Sequence, residues 1–302
     1  MGSETRAVEM RAGLAFGLAM CVSGTLGVMV VEAGTDPVTT VFWRCALALP
    51  VILLYAAWRG LLKPPFPPLK LWLLAGLSGA LFVGDWIALF AAYCLIPVGL
   101  ATITLNLYPF ITLGLAAVVL RERPGWNALG WIVIAFGGFL LATGLLGLGG
   151  TWDPLGIILS LVAAVFYAAA TLVGRFLKAM PALLTTLVQM SVGVLSLGLF
   201  IAPVGGMPET SWFWLAAMAL GPTAGSYVLM NLAFGRARMA VIAVLSFVYP
   251  VVTAVLDALV YGRVLTPLQI LGFLLIAGAS LAVTFRWPLN PFSSRRQPEA
   301  AG

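Results

Sequence analysis

Ten apolar stretches of about 20 residues each, parted by short polar or proline-rich breaks, leave this chain one way to satisfy its backbone. Lipid offers no hydrogen-bond partners, so a segment lodged in it must bond internally. A helix does so, and a crossing takes about 17–25 residues at 1.5 Å rise each. The stretches run roughly over 12–32, 37–58, 69–94, 97–119, 125–146, 154–175, 181–203, 211–234, 239–260 and 265–286. Between them stand Asp36-Pro37, the KPPFPP run at 63–68, Ile96-Pro97, Arg123-Pro124-Gly125, Asp153-Pro154, Met180-Pro181 and Thr266-Pro267. These are residues that stop one helix and start the next. With 62% hydrophobic and 9% charged residues in 302, a soluble globular domain, where about 25% charged residues are usual, is excluded. The expected fold is an all-α integral membrane protein of ten transmembrane helices.

Loop charges test the count, because Lys and Arg accumulate on the cytoplasmic side of short loops and a wrong number of spans would scramble the alternation. With the N-terminus inside, the inner segments hold Arg6 and Arg11; Arg59, Lys63 and Lys70; Arg121 and Arg123; Arg175 and Lys178; Arg236 and Arg238. Arg286, Arg295 and Arg296 in the tail bring the inner total to fourteen of the sixteen basic residues. The outer loops hold Arg263 alone, beside Glu32, Asp36, Asp153 and Glu209, while Arg44 falls inside the second span. Both termini are therefore expected to be cytoplasmic. The net charge of +6 reflects topology and contact with the lipid bilayer rather than nucleic acid. The first span is too long for a signal peptide and lacks a small-residue cleavage site, so it is expected to be retained. Such a chain suits a bacterial inner membrane.

Sliding the chain against itself by 141 residues pairs GDWIALFAAYCLIPVGLATITLNLYPFIT at 84–112 with GSYVLMNLAFGRARMAVIAVLSFVYPVVT at 225–253, without a gap. Gly84 falls on Gly225, Ala92 on Ala233, Tyr108-Pro109 on Tyr249-Pro250 and Thr112 on Thr253. The division is a first five-helix repeat at 1–148, a second at 149–288 and a cytoplasmic tail at 289–302. Five is odd, so the second repeat inserts upside down relative to the first. Inverted repeats are the architecture of carriers that expose a midplane site to either side in turn. A proline within a span frees a carbonyl and bends the helix, which places Pro109 and Pro250 as joints in both halves.

FWRCALAL at 42–49, YPFITLGLAAVVLRERP at 108–124 and VYPVVTAVLDALVYGR at 248–263, within ten spans in a five-plus-five repeat, resemble the drug/metabolite transporter superfamily. The EamA-type permeases match best, over essentially the whole chain. Glu122 fits the family pattern after the fourth span, whereas Gly262-Arg263 after the ninth departs from it. The resemblance implies a secondary carrier, commonly an exporter of amino acids or other small metabolites, with a central cavity between the halves. Within the family it is most similar to the aromatic amino-acid exporters.

An ionisable group deep in a span costs several kcal/mol unless it faces protein or water, so polar residues at depth are the first candidates. Asp85 lies about 15 residues, or roughly 22 Å, along the third span from Lys70, near or beyond the midplane. It either binds the ammonium of a zwitterion or takes up a coupling proton, or else bonds a freed backbone group or pairs with Arg44. Arg44, about seven residues from the outer end of its span, either attracts a carboxylate or snorkels to the interface. Asp257 reads as an interfacial partner of Arg263. Asn106, Gln189 and Asn231 are either lining residues or helix-to-helix hydrogen bonds. Trp43, Trp86, Tyr108, Tyr167 and Tyr227, with Phe166 and Tyr249, suit a stacking-capable cavity, though packing explains any one of them as well. The small-residue stretches GLSGA at 76–80, FGG at 136–138 and AGAS at 277–280 allow close helix approach.

The chain has no histidine, and its cysteines are Cys21, Cys45 and Cys94, all in apolar stretches. No metal site, cofactor or disulfide framework is expected. There is neither a GxxxxGK[ST] loop for ATP nor a Ser or Cys beside a base for nucleophilic catalysis. Without a ring-forming selectivity loop a channel is disfavoured. The expected function is export of small organic solutes, foremost amino acids including aromatic or apolar ones, with nucleosides, other metabolites or cationic drugs as the alternative.

Overall fold

Each apolar stretch is helical over the residues described in a computed structural model, which are 3–121, 126–143, 152–201, 207–233, 245, 248–263, 265–284 and 287. The helices are α1 (Ser3–Gly24), α2 (Leu26–Ala33), α3 (Pro37–Trp58), α4 (Leu69–Tyr93), α5 (Val98–Leu105), α6 (Tyr108–Val119) and α7 (Trp126–Thr143). Then follow α8 (Pro154–Gly174), α9 (Ala182–Leu197), α10 (Glu209–Met218), a π-helical turn (Ala219–Gly225), α11 (Ser226–Ala233), α12 (Val248–Tyr261) and α13 (Pro267–Thr284). Among the described residues there is no strand. Among the described residues six helical segments are long and apolar enough to cross a membrane: Met10–Ala33, Pro37–Trp58, Leu69–Tyr93, Val98–Val119, Pro154–Gly174 and Glu209–Met230. Shorter apolar helices fill the other four stretches, at Leu129–Ala142, Ala182–Leu197, Val248–Tyr261 and Pro267–Ala279. The early part of the ninth stretch and the tail lie outside the described residues.

Proline governs where helices start. Pro37 and Pro154 occupy first-turn positions, where a missing N–H costs nothing. The preceding Asp36 and Asp153 accept hydrogen bonds from Thr39 N at 3.0 Å and Leu155 N at 2.8 Å. Inside the fourth stretch Pro109 has the expected effect: the helix is interrupted at Asn106-Leu107, between α5 and α6. Its counterpart Pro250 lies in α12, next to residues outside the description.

The packing pattern maps onto itself when the halves are exchanged. The third stretch (α4) packs on the sixth (α8), and its repeat-related eighth (α10, the π turn and α11) packs on the first (α1 and α2). The second and seventh stretches (α3 and α9) face each other, as do the fifth and tenth (α7 and α13) and the fourth and ninth (α5 and α12). Each half therefore buries its small-residue faces against the other, and the main core runs through both.

Lipid supplies no hydrophobic push between helices, so close packing decides which faces meet. A β-carbon on Gly138 would sit 2.7 Å from the carbonyl oxygen of Gly272, and one on Gly272 would clash with Gly138 O and with Ala142 N. The expectation for FGG is met at Gly138, whereas a β-carbon on Gly137 or Gly278 would meet nothing within 4 Å. In the tenth stretch the contact belongs to Gly272, outside the AGAS run. Replacing Gly272 by alanine is expected to separate α7 from α13 and cost about 1–3 kcal/mol. Gly278→Ala is expected to be neutral or stabilising, and thermal unfolding of the two purified variants in detergent checks the difference.

Candidate functional site

The site begins with a proline. Pro222, within the π-helical turn, has no N–H to offer the preceding turn. The adjoining Thr223 hydroxyl donates to the Met218 carbonyl at 3.0 Å. Its lone pairs then accept a hydrogen bond from Arg44 Nε at 2.7 Å, across from α3. Single π turns of this kind recur at functional sites, where they re-aim a side chain.

Arg44 is 4% exposed, so it does not snorkel outward. Its guanidinium lies 4.2 Å from the centre of the Trp86 ring and 5.8 Å from that of Phe90. A cation over an indole face is favoured by the ring's quadrupole, more so when both are desolvated. One guanidinium nitrogen, Nη1, is buried without a hydrogen-bond partner.

Asp85, beside Trp86 on α4, is 2% exposed, and its Oδ1 is likewise buried without a partner. Among the described residues no ion pair within 4.0 Å joins it to Arg44. An arginine and an aspartate are thus buried in one core, each with a polar atom unspent. Native interiors seldom leave such atoms unpaired, and an unpaired one asks for a ligand, a water or a proton.

An aromatic wall continues from Trp86. Phe82 stacks on it at 5.9 Å between centroids, Tyr167 of α8 meets Phe82 edge-on at 5.5 Å, and Tyr108 of α6 lies 4.3 Å from Tyr167. Tyr227 packs against the same core from α11. The structure therefore brings together Asp85, Trp86, Tyr108, Tyr167 and Tyr227 among the residues singled out by sequence.

Others are occupied elsewhere. Trp43 packs edge-on against Trp212 at 4.7 Å and Phe42 at 5.1 Å, and its Nε1 is buried unpaired. Gln189 donates to Ser78 Oγ at 3.0 Å, fastening α9 to α4. Asn106 donates to Thr102 O of its own helix at 2.7 Å. Asn231 lies on α11, and its side chain is outside the described residues. Asp257 pairs with Arg263 as expected, Arg263 Nη1 standing 3.9 Å from its Oδ1, but it is only 1% exposed, and its Oδ2 accepts from Gly99 N at 3.0 Å, capping α5 from α12. Thr223 and Pro222 went unnoticed in the sequence. The Gly221-Pro222-Thr223 run within an apolar stretch was the available signal.

Helices long enough to span a bilayer, paired symmetrically across two halves and meeting at buried charges, define a membrane transport protein. The profile of the EamA-like transporter family matches the chain twice, at residues 11–144 and 154–285, and the chain belongs to that family, within the drug/metabolite transporter superfamily. It is 28% identical over 213 residues to the uncharacterized transporter YxxF of Bacillus subtilis (strain 168), which covers 69% of this chain and 68% of that one. A crystal structure described only as that of a protein has the same fold, with a TM-score of 0.65 at 18% identity over 91% of this chain and 98% of the other.

The Arg44–Thr223 bond has a measurable consequence. Thr223→Val keeps the shape and strands Arg44 Nε, so it is expected to lower stability by about 1.5–3 kcal/mol, the cost of losing a hydrogen bond to a charged group. Thr223→Ser is expected to retain the native value. Thermal unfolding of the purified variants compares them.

Proposed function

We propose that the protein is a secondary transporter that exports small organic solutes, foremost amino acids including aromatic or apolar ones, by alternating access. Ten spans in two inverted repeats, at 1–148 and 149–288, carry the transport, with both termini and the 289–302 tail in the cytoplasm and the chain in a cell inner membrane. One observation supports the amino-acid reading above the rest. Arg44 and Asp85 are both buried in the core, and each has an unspent polar atom. A zwitterion satisfies both at once, its carboxylate on the guanidinium and its ammonium on Asp85. Trp86, Phe82, Tyr167 and Tyr108 give its side chain an apolar, stacking surface. Between substrates, a proton on Asp85 neutralises the acid, which makes that residue the coupling candidate.

Counterflow in sealed liposomes tests this, with labelled tryptophan, phenylalanine, methionine, threonine and a nucleoside and no ion gradient. Saturable exchange of the aromatic and apolar amino acids is expected. Arg44→Gln and Asp85→Asn are each expected to raise the half-saturating concentration tenfold or more, about the value of one charged hydrogen bond. Exchange of the nucleoside alone, in protein shown to be monodisperse, would overturn the substrate class. Asp85→Asn should also flatten the pH dependence of net efflux; an unchanged profile would remove its coupling role.

A further inference from the structure

We infer that the structure holds a second binding site, for a small carboxylate, apart from the buried Arg44 and Asp85 pair. It is a cavity of 410 Å³ whose lining includes Tyr93, Cys94, Leu100, Trp152, Arg263 and Gln269. That volume falls within the range of about 300–1,000 Å³ typical of small-molecule sites.

The lining is donor-rich. Arg263 is its one charged residue among the described residues. It forms a long ion pair with the buried Asp257, Nη1 to Oδ1 at 3.9 Å, and the Arg263 side chain is still 46% exposed and open to a second carboxylate. Trp152 Nε1 is buried without an acceptor. Gln269 is 2% exposed, and its Oε1 already accepts from Thr266 N at 2.9 Å, which leaves its amide nitrogen as the free end. No acidic side chain lines the space. A guanidinium and an amide on this lining, with no acidic side chain among the residues that bound it, select a carboxylate over an ammonium.

Tyr93 bounds the cavity and is itself buried. Its hydroxyl lies 3.3 Å from that of Thr102 and 3.5 Å from that of Tyr249. The lining at 94–97, Trp152, Gly262, Arg263 and Leu265 comes from three connections between stretches, those that the loop charges place outside. On the transport reading, on which this part rests, the site takes the carboxylate of a solute on the outer side of the membrane.

Cys94 reports on the site. It is exposed at the cavity, Cys45 is buried, and Cys21→Ala removes the other exposed thiol. In right-side-out vesicles a membrane-impermeant maleimide is expected to label Cys94. 3-Phenylpropionate and phenylalanine should slow labelling saturably, to about a tenth of the free rate at ten times the half-protecting concentration. 3-Phenylpropanol, which lacks the carboxylate, should not protect. Arg263→Gln should abolish protection while leaving the unprotected rate measurable, and Arg44→Gln should leave protection intact. An unlabelled Cys94, equal protection by the alcohol, persistent protection in Arg263→Gln, or its loss in Arg44→Gln would each overturn the site. Protection without amino-acid counterflow would keep the site and remove the transport reading; counterflow without protection would do the reverse.

Discussion

A guanidinium away from water is expensive, and the centre of this protein is arranged around making one tolerable. Even translocon-based scales put an arginine at a helix centre about 2.5–3.5 kcal/mol uphill. Arg44, on α3, offsets that cost through the Trp86 and Phe90 rings of α4 and through Thr223 of the π turn. None of the three shields the charge alone. The second, third and eighth stretches are therefore bound into one unit by a single side chain, and removing any partner leaves a charge in a dry core.

The halves have diverged where they meet this charge. The 141-residue offset places Phe82 against Thr223 and Trp86 against Tyr227. One half contributes stacked rings beside Arg44, and the other contributes a hydroxyl. Duplication supplies a symmetric frame, evident in the helix pairing, and substitution at its centre turns that frame into a site with a polar side and an aromatic side. Such polarity is what orients an asymmetric solute.

Much of the frame was legible because it follows from one-dimensional rules. Apolar length, proline at helix starts and the Tyr-Pro repeat fix the helices, and the break at Asn106-Leu107 follows from Pro109. Asp85, Trp86, Tyr108 and Tyr167 were legible for a related reason: charge and large aromatic area are conspicuous in a lipid-soluble chain. Direction was not legible. Distance from a span's end says how deep Arg44 sits but not which way round the helix it points, and it faces Trp86 rather than the interface. Asp257 shows the same limit: its pairing with Arg263 was legible, but its hydrogen bond from a backbone N–H 158 residues away is one that no side-chain pattern announces. Glycines behave likewise: Gly272 and Gly278 differ only in what stands opposite them.

The Asp257 cap on α5 bears on how the molecule spends its time. The same offset carries Gly99 to Ala240 and Asp257 to Ala116, and a methyl group cannot accept an N–H. In a device built from two interchangeable halves, the two end states would be equal in energy if every bond had its twin. A bond without a twin breaks that equality. A contribution of about 1 kcal/mol skews two populations roughly fivefold. On the alternating-access proposal, one carboxylate at the contact of the fourth and ninth stretches is then enough to give an otherwise reversible rocker a preferred side on which to wait.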